Sequence, residues 1–589
     1  MDYELPTRLL RVDLSAGTVD SERVPAAWRR DFVGGKGLGA RYLYEELDGK
    51  TDPLGPGNAL LFLRGPLTGV LPGEARFAVV TKSPLTGTFL DSYSGGAFAE
   101  ALAGGLGEHV GLLVTGRAAD PVRIDVAGGT ASLAPAADLW GLDARETDAA
   151  VPDAEVACAG PAGENLVAYA TVASEGGDHQ AGRGGAGAVM GAKRLKTVTA
   201  RGDPPDDPAF AGLRERFTVL FADDADSQWF LTSETLESVD FANEVGALST
   251  RGWQESRFEG TDDIGIESVH EAASGRERAD DPIPGGFRVE TRDGESVPRG
   301  ATQITLGAGL GIDDFDAVAT LGEQCDRLGV DVISAGTAVA WAIRAAGEGV
   351  IDRDLSFGDP GDARGLLDEI AARSTLLGDA LAEGIETAAG TFGGADLVPT
   401  AKGMELPGYD PRGATSMALA YATSDRGPCH RRSRPVEQEA FVADPWDAAD
   451  VAAFVIEEQD ARSLLWSLIA DDFAGMALWD SLGAEWLAAV GLDYDPAELR
   501  ATGDRIWNLT RLFNVRAGFT RADDRLPPML AGAIGDSTDG PVRVDSFAAM
   551  LDAYYDARGW SADGVPTRGT LDRLDLLEAV DDETPVAGT

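Results

Sequence analysis

Four glycine-dense segments in the first third of the chain carry the residue types and spacing best suited to chemistry: DFVGGKGLGARYL (31–43), GPLTGVLPGEARFAVVTKSPLTGTFLDSYSGGAFAEAL (65–102), AGPAGENLVAYA (159–170) and QAGRGGAGAVMGAKRLK (180–196). Consecutive small residues let backbone N–H groups converge on an anion, and a helix that follows adds the positive end of its dipole. Arg76, Lys82 and Arg183 sit inside these loops and offer charge-assisted donors to a phosphate. Each loop taken alone is equally what a tight β-turn requires. None matches G-x-G-x-x-G after a strand with a following acid, nor the P-loop pattern, so a nucleotide fold is not indicated. The three cysteines, Cys158, Cys325 and Cys429, are far apart and form no C-x-x-C pair. Neither a disulfide framework nor a thiolate metal site is written in their spacing.

The elements that must position these loops fall into successive regions. Residues 1–205 read as a β-rich domain, with runs such as ALLFLRG, RFAVVTKS and VGLLVTG between Gly, Pro, Thr and Asp clusters. GDPPDDP near 205 reads as a linker, and helical periodicity predicts a middle domain over 206–412. There Asp313 is expected to cap a helix presenting Phe315, Val318, Ala319, Gly322 and Cys325 on one face and stopping at Gly329. Residues 362–386 also read as helical, and ELPGYDPRG (405–413) as a turn-rich connection. A second helical domain is predicted over 413–580. One of its helices starts at Asp495, with Pro496 in the first turn and Glu498 completing a capping box. The end, 581–589, reads as a disordered tail. The expected class is α+β and multidomain.

Composition narrows the setting. The chain has 589 residues, 98 Asp and Glu against 50 Lys and Arg, and a formal charge of −48. The acids are dispersed rather than gathered in one tail, as expected of a surface adapted to a salt-rich cytoplasm or, more blandly, of an acidic mesophilic protein. An extended basic patch for nucleic acid or an anionic membrane is absent from the sequence, as is a stretch of about 18 uninterrupted apolar residues. The start lacks an apolar leader, so the cytoplasm is the expected compartment.

The order and wording of the motifs resemble the tungsten-dependent aldehyde ferredoxin oxidoreductase family. R-x-D-L, FVGGKGLGA, GPLTG, RFAVVTKSPLTG, D-S-x-S-G-G, GPAGEN and AGRGGAGAVMGAKRLK are followed in order by CDRLGVDVISAG (325–336), KGMELPGYDPRG (402–413), LAYATSDRGPCH (419–430) and RIWNLTRLFNVRAGF (505–519). The resemblance implies a β-sandwich-like first domain and two helical domains around a tungsten (or molybdenum) bis-pterin, with a [4Fe-4S] cluster beside it. It implies oxidation of aldehydes to carboxylates, electrons passing to ferredoxin or another acceptor, and a possible homodimer. By family pattern Arg76 and Arg183, with Gly184 and Gly185, approach the pterin phosphates. Ser92, Tyr93, Ser94 and Gly95 form the D-S-x-S-G-G stretch, where a backbone carbonyl binds a magnesium ion bridging the pterins. Asp326, Gly329, Val330 and Asp331 correspond to D-x-x-G-L-D, whose carboxylates accept hydrogen bonds from pterin N–H groups. His430 aligns with a histidine near the substrate and is the candidate for proton transfer.

The sequence also departs from the family. Where the resemblance places the cluster cysteines stand Asp280, Ile283, Phe287 and Asp471, of which two offer carboxylate oxygen and two offer nothing. The cluster is therefore expected to be absent, with Ile283 and Phe287 filling its volume. In the second pterin motif, WSLIAD (466–471), Trp466 replaces the first acid and Ile469 the glycine. The segment GATQITLGAGLG (300–311) lacks the acid that family members carry near the metal. Two readings remain open: an oxidoreductase with altered chemistry, or a non-catalytic cofactor-binding or scaffold descendant.

Overall fold

Leu60, Leu61, Phe62 and Leu63 are all fully buried, Leu60 and Phe62 in one apolar cluster and Leu61 and Leu63 in another. Alternate side chains of a strand point to opposite faces, so a strand covered on both sides carries an unbroken apolar run. The computed structural model describes residues 3–470, 475, 477–531 and 547–588. Its first part holds two six-stranded sheets. One contains β1 (Arg8–Asp13), β2 (Thr18–Arg23), β3 (Leu60–Leu63), β4 (Arg76–Lys82), β5 (Phe89–Gly95) and β6 (His109–Thr115), in spatial order β2-β1-β6-β3-β4-β5. The other contains β7 (Val122–Ala127), β8 (Thr130–Pro135), β9 (Glu155–Ala159), β10 (Val172–Ser174), β11 (His179–Ala181) and β12 (Leu195–Arg201), in order β11-β10-β9-β12-β7-β8. Only the β1–β6 and β7–β12 pairs are parallel.

Phe62, Phe77 and Val79 of the first sheet share a core with Ile124, Val126 and Val198 of the second, together with Phe98 and Leu102 of helix Ala97–Leu106. The opposite face of the first sheet, with Ala78, Val80 and Phe89, packs on helices Gly35–Glu46 and Pro496–Arg516. Fully burying one such large apolar side chain is worth about 1.5–3 kcal/mol.

Beyond residue 208 the chain is mainly helical, interrupted by a small sheet of β13 (Ala273–Arg276), β14 (Phe287–Glu290) and β15 (Glu295–Ser296). The helix Phe315–Leu328 buries Phe315, Val318, Ala319, Gly322 and Cys325 as its periodicity predicts. Its cap is Asp314 rather than Asp313, because the Asp314 carboxylate is the one that reaches Ala317 N, at 3.1 Å. It stops at Gly329 with φ 69°, and Asp331 caps the next helix, Val332–Gly347. The helical stretch expected over 362–386 is three helices, Pro360–Ala372, Leu376–Ala382 and Ile385–Phe392, broken at left-handed Arg373 and at Gly384. Asp495 and Glu498 form the expected capping box of Pro496–Arg516.

Residues 581–588, read from composition as disordered, are instead docked. Asp581 pairs with Arg516 at 2.6 Å, the Thr584 and Tyr44 hydroxyls lie 2.7 Å apart, and Val586 packs on the core beneath the first sheet. Apolar contact and a neutralising arginine offset the acidity that suggested disorder. Among the described residues no helix is long and apolar enough to cross a membrane.

Candidate functional site

A cavity of about 260 Å³ lies where β5, the turn around Arg183, the Gly329 turn and the stretch 407–434 meet. Its wall holds Arg76, Tyr93, Ser94, Gly95, Arg183, Asp326, Val330, Asp331 and His430, brought from four distant parts of the sequence. Ser92, Gly184, Gly185 and Gly329 stand behind that wall. Ser92 donates from Oγ to Gly182 O at 2.9 Å. Arg183, Gly184 and Gly185 have φ of 68°, 70° and 88°, a left-handed run that turns β11 into helix Ala186–Lys193. The Arg183 guanidinium donates to the carbonyls of Pro428 and Glu405, tying this turn to the helical part. Gly329 is required twice over. Its φ of 69° suits glycine, and a Cβ there would lie 3.0 Å from Gly160 N.

The expectation that FVGGKGLGA is an anion loop meets a different geometry. Residues Gly35–Glu46 form a helix, and its glycines admit close neighbours: a Cβ on Gly39 would lie 2.8 Å from the Val80 side chain. Lys36, fully buried, bonds the Asp425 carboxylate and lies 3.7 Å from Asp91 Oδ2. Arg432 bonds the Asp91 carboxylate and reaches Asp425 Oδ1 at 3.3 Å. This buried, neutral quartet ties helix Gly35–Glu46, β5 and the loop before His430 together. Burial alone would raise the Asp91 carboxyl, yet Arg432 and Lys36 hold it well below the usual range.

Seven arginines line the cavity, namely 76, 183, 299, 426, 431, 432 and 434, in a chain of net charge −48. The same wall holds Asp178, Glu234, Asp326 and Asp331, so arginines outnumber acids there by seven to four, a local excess of positive charge suited to an anionic ligand. It acts on Cys429, whose thiol accepts a hydrogen bond from Arg426 at 3.0 Å. Burial pushes that thiol up, but Arg426, Arg432 and Arg183 outweigh it and bring it down to about 7. Asp326 is half-buried on the cavity wall, and burial of its carboxyl, then Asp178, raises it well above the usual range. A neutral Asp326 can donate as well as accept a hydrogen bond. Asp331 Oδ2 accepts from Ser334 N at 2.8 Å. Burial raises the Glu405 carboxyl to about 7. The His430 ring meets Tyr409 edge-on, centroids 5.8 Å apart.

Several site residues escaped the sequence reading. Arg426, Cys429 and Arg432 follow an R-x-x-C-x-x-R spacing just before and after His430, a signal legible in the sequence. Within 300–311, Ile304 and Thr305 do line the cavity and bring no acid, but Glu234 from another element lines the same wall, paired with Arg299 at 3.0 Å. Trp466 also lines it and stacks on Tyr93, centroids 4.0 Å apart. Ile469 keeps the left-handed turn of its motif, with φ 56°, without the glycine.

The four expected cluster positions separate. Asp280 is exposed, and Ile283 is 7 % exposed in an apolar cluster with Leu67, Val70 and Leu465. Phe287, half-buried in β14, packs instead beside Val289 and Phe315, so the two apolar residues do not fill one volume as expected. The reason is β-pairing: Phe287 opposes Arg276 across the β13–β14 ladder, which draws it away from Ile283 in the turn. Asp471 lies outside the described residues.

Residues 9–202 match the family described as aldehyde ferredoxin oxidoreductase, N-terminal domain, and residues 213–576 match aldehyde ferredoxin oxidoreductase, domains 2 and 3. The chain is 33% identical over 613 residues to the tungsten-containing aldehyde ferredoxin oxidoreductase of Pyrococcus furiosus, covering 97% of this chain and 99% of that one. It is 33% identical over 607 residues to the enzyme of the same description from Thermococcus kodakarensis, again covering 97% and 99%. It is 25% identical over 646 residues, covering 98% of each chain, to the WOR-like subunit of an aliphatic sulfonate oxidoreductase of Pyrococcus furiosus. In fold it matches the active-site complex BamBC of benzoyl coenzyme A reductase with TM-score 0.83 and 23% identity over 98% of both chains.

Proposed function

The chain belongs to the aldehyde ferredoxin oxidoreductase family, and from that premise we propose that it oxidises an aldehyde to a carboxylate at a tungsten or molybdenum bis-pterin site in the arginine-lined cavity. Electrons pass to ferredoxin or another soluble acceptor without a [4Fe-4S] relay.

The observation that carries this reading is the cationic wall. Among the described residues Arg183 Nε and Arg426 Nε are buried there without a hydrogen-bond partner, Arg183 Nε lying 3.6 Å from Asp331 Oδ2, as donors open to an anionic group would be. Such residues fit a phosphate-bearing pterin. Arg76 and Arg183 would hold its phosphates, Asp326 and Asp331 would pair with its ring N–H groups, and the backbone at Tyr93 would offer a carbonyl to a magnesium ion. When bound, the metal supplies the two-electron redox chemistry. His430 holds or accepts the substrate proton, with Tyr409 fixing the plane of its ring. Trp466 on Tyr93 excludes water from one side of the wall.

The residues do not fit a [4Fe-4S] cluster. Asp280 is exposed, Ile283 and Phe287 have no ligating atom and sit in separate clusters, and Cys158 and Cys325 are buried in apolar cores elsewhere. The stacking of Trp466 where the second pterin motif loses its acid favours a second reading, a cofactor-binding descendant without turnover. Both are decided on protein purified anaerobically from its host. Stoichiometric pterin, tungsten or molybdenum, and aldehyde-dependent viologen reduction that His430→Ala abolishes would support the enzyme. Pterin without turnover would establish the second reading. About four irons and four sulfides per chain would overturn the absence of the cluster. Dispersed acidity supports a salt-rich cytoplasm as the setting.

A further inference from the structure

Beneath the turn that joins β13 to β14, three residues bring ligand atoms together. They are Glu175, His179 and Glu277, with one nitrogen or carboxylate oxygen each, all within 4.8 Å of one another. His179 and Glu277 are 5% and 4% exposed. His179 Nε2 lies 3.1 Å from Glu277 Oε1 and 3.4 Å from Glu175 Oε2. At that distance a hydrogen bond is expected, yet both Nε2 and Glu277 Oε1 are buried atoms without a hydrogen-bond partner among the described residues. They are close, but they do not point at each other. Atoms whose lone pairs converge on a third point have this relation. Ligands held about 2.0–2.2 Å from a cation stand about 3.0–3.5 Å apart in octahedral or tetrahedral geometry.

The remaining oxygens are already used by the protein, which fixes the orientation of the free ones. Glu277 Oε2 accepts from Gly286 N at 3.0 Å and from Arg299 at 3.0 Å, leaving Oε1 turned inward. Glu175 Oε1 accepts from Ala97 N, leaving Oε2 turned inward. On the far side of the ring, His179 Nδ1 lies 3.1 Å from Glu74 Oε1, and Glu74 Oε2 is held by Arg76 at 2.6 Å. A carboxylate on one ring nitrogen, with the other nitrogen aimed at a shared point, is the arrangement that orients a metal-bound histidine. His179 also faces the cavity, so positions not taken by protein can be filled by water or by a small ligand.

We propose that Glu175, His179 and Glu277 bind one first-row divalent transition-metal ion, with Glu74 as the outer carboxylate that orients His179. One imidazole with two carboxylates selects iron, zinc, manganese or cobalt over calcium, which prefers an all-oxygen shell. The site lies beside the segment where the family resemblance places cluster cysteines, but Glu277 is not one of those positions.

The test uses the full-length protein, treated with chelator and then titrated with Co²⁺. One saturable equivalent per chain is expected, with visible ligand-field bands distinct from those of aqueous Co²⁺ and displaceable by Zn²⁺. His179→Gln and Glu277→Gln should each remove that equivalent. Glu74→Gln should keep the stoichiometry and weaken binding about 10–100-fold. Should the buried variants fail to fold, Glu175→Gln, at a partly exposed position, serves in their place and is expected to lose at least tenfold in affinity. Absence of a saturable equivalent in the wild-type chain, or equal binding in folded Glu175→Gln and His179→Gln, would overturn the site and leave an imidazolium held by three glutamates.

Discussion

Replacing Lys36 by methionine probes the buried quartet most directly. Lys36 and Arg432 balance Asp91 and Asp425, and all four lie at 4% exposure or less. At 3.7 Å, the Lys36–Asp91 attraction alone is about 4.5 kcal/mol in gross terms at an effective dielectric of about 20. The closer bond to Asp425 adds to it, and desolvation of the ammonium offsets much of the sum. What Lys36→Met leaves behind is a net buried negative charge, which costs about 3–5 kcal/mol. For a domain of about 200 residues that lowers the melting midpoint by roughly 6–20 °C. The second change, Asp425→Asn, restores neutrality in the double variant, because Arg432 and Asp91 remain paired and the new side-chain amide still offers an oxygen to Arg432. The double variant should therefore be more stable than Lys36→Met alone, with a coupling of about 2 kcal/mol or more. Scanning calorimetry of wild type, both single variants and the double variant provides the cycle, read as midpoints because a multidomain chain has no single unfolding free energy. A double variant that loses the sum of the two single losses would refute the charge-balance reasoning.

Cys429 should alkylate with a midpoint near pH 7, and Arg426→Gln should move that midpoint upward, since the arginine favours the thiolate. Cys158 and Cys325, whose thiols burial raises to about 12 and well above the usual range, provide the internal control and should stay unmodified in the folded protein. Gly329→Ala should cost about 1–3 kcal/mol, because φ is 69° and the new Cβ would crowd Gly160 N at 3.0 Å; a melting midpoint equal to wild type would contradict this. With 98 acids against 50 bases, the melting midpoint should rise between 0.1 M and molar KCl as the screening length falls from about 10 Å to about 3 Å. An unchanged midpoint would remove salt adaptation as the explanation of the acidity.

What the sequence determined by itself is local or ordered along the chain. The cap at Asp495, the helix stop at Gly329 and the apolar face of Phe315–Leu328 depend on neighbours within a turn or two, so residue spacing suffices to find them. The succession of a β-rich part and a helical part follows likewise from periodicity, and the family from motifs kept in order over nearly the whole chain. Tertiary structure decided what depends on distance through space. The acidity of Cys429 is set partly by Arg183, which no spacing rule connects to it. Trp466 meets Tyr93 because a helix of the second half packs on β5, and the acidic end of the chain docks because Arg516 and Tyr44 happen to face it. Glu175, His179 and Glu277 show the same limit: two of them share a turn, but the third arrives just after β13, about a hundred residues later, and only packing of the β-rich part on the helical part makes them one cluster. Local propensity acts over a few residues, whereas electrostatic and packing energies depend on distances that exist only once the chain has folded.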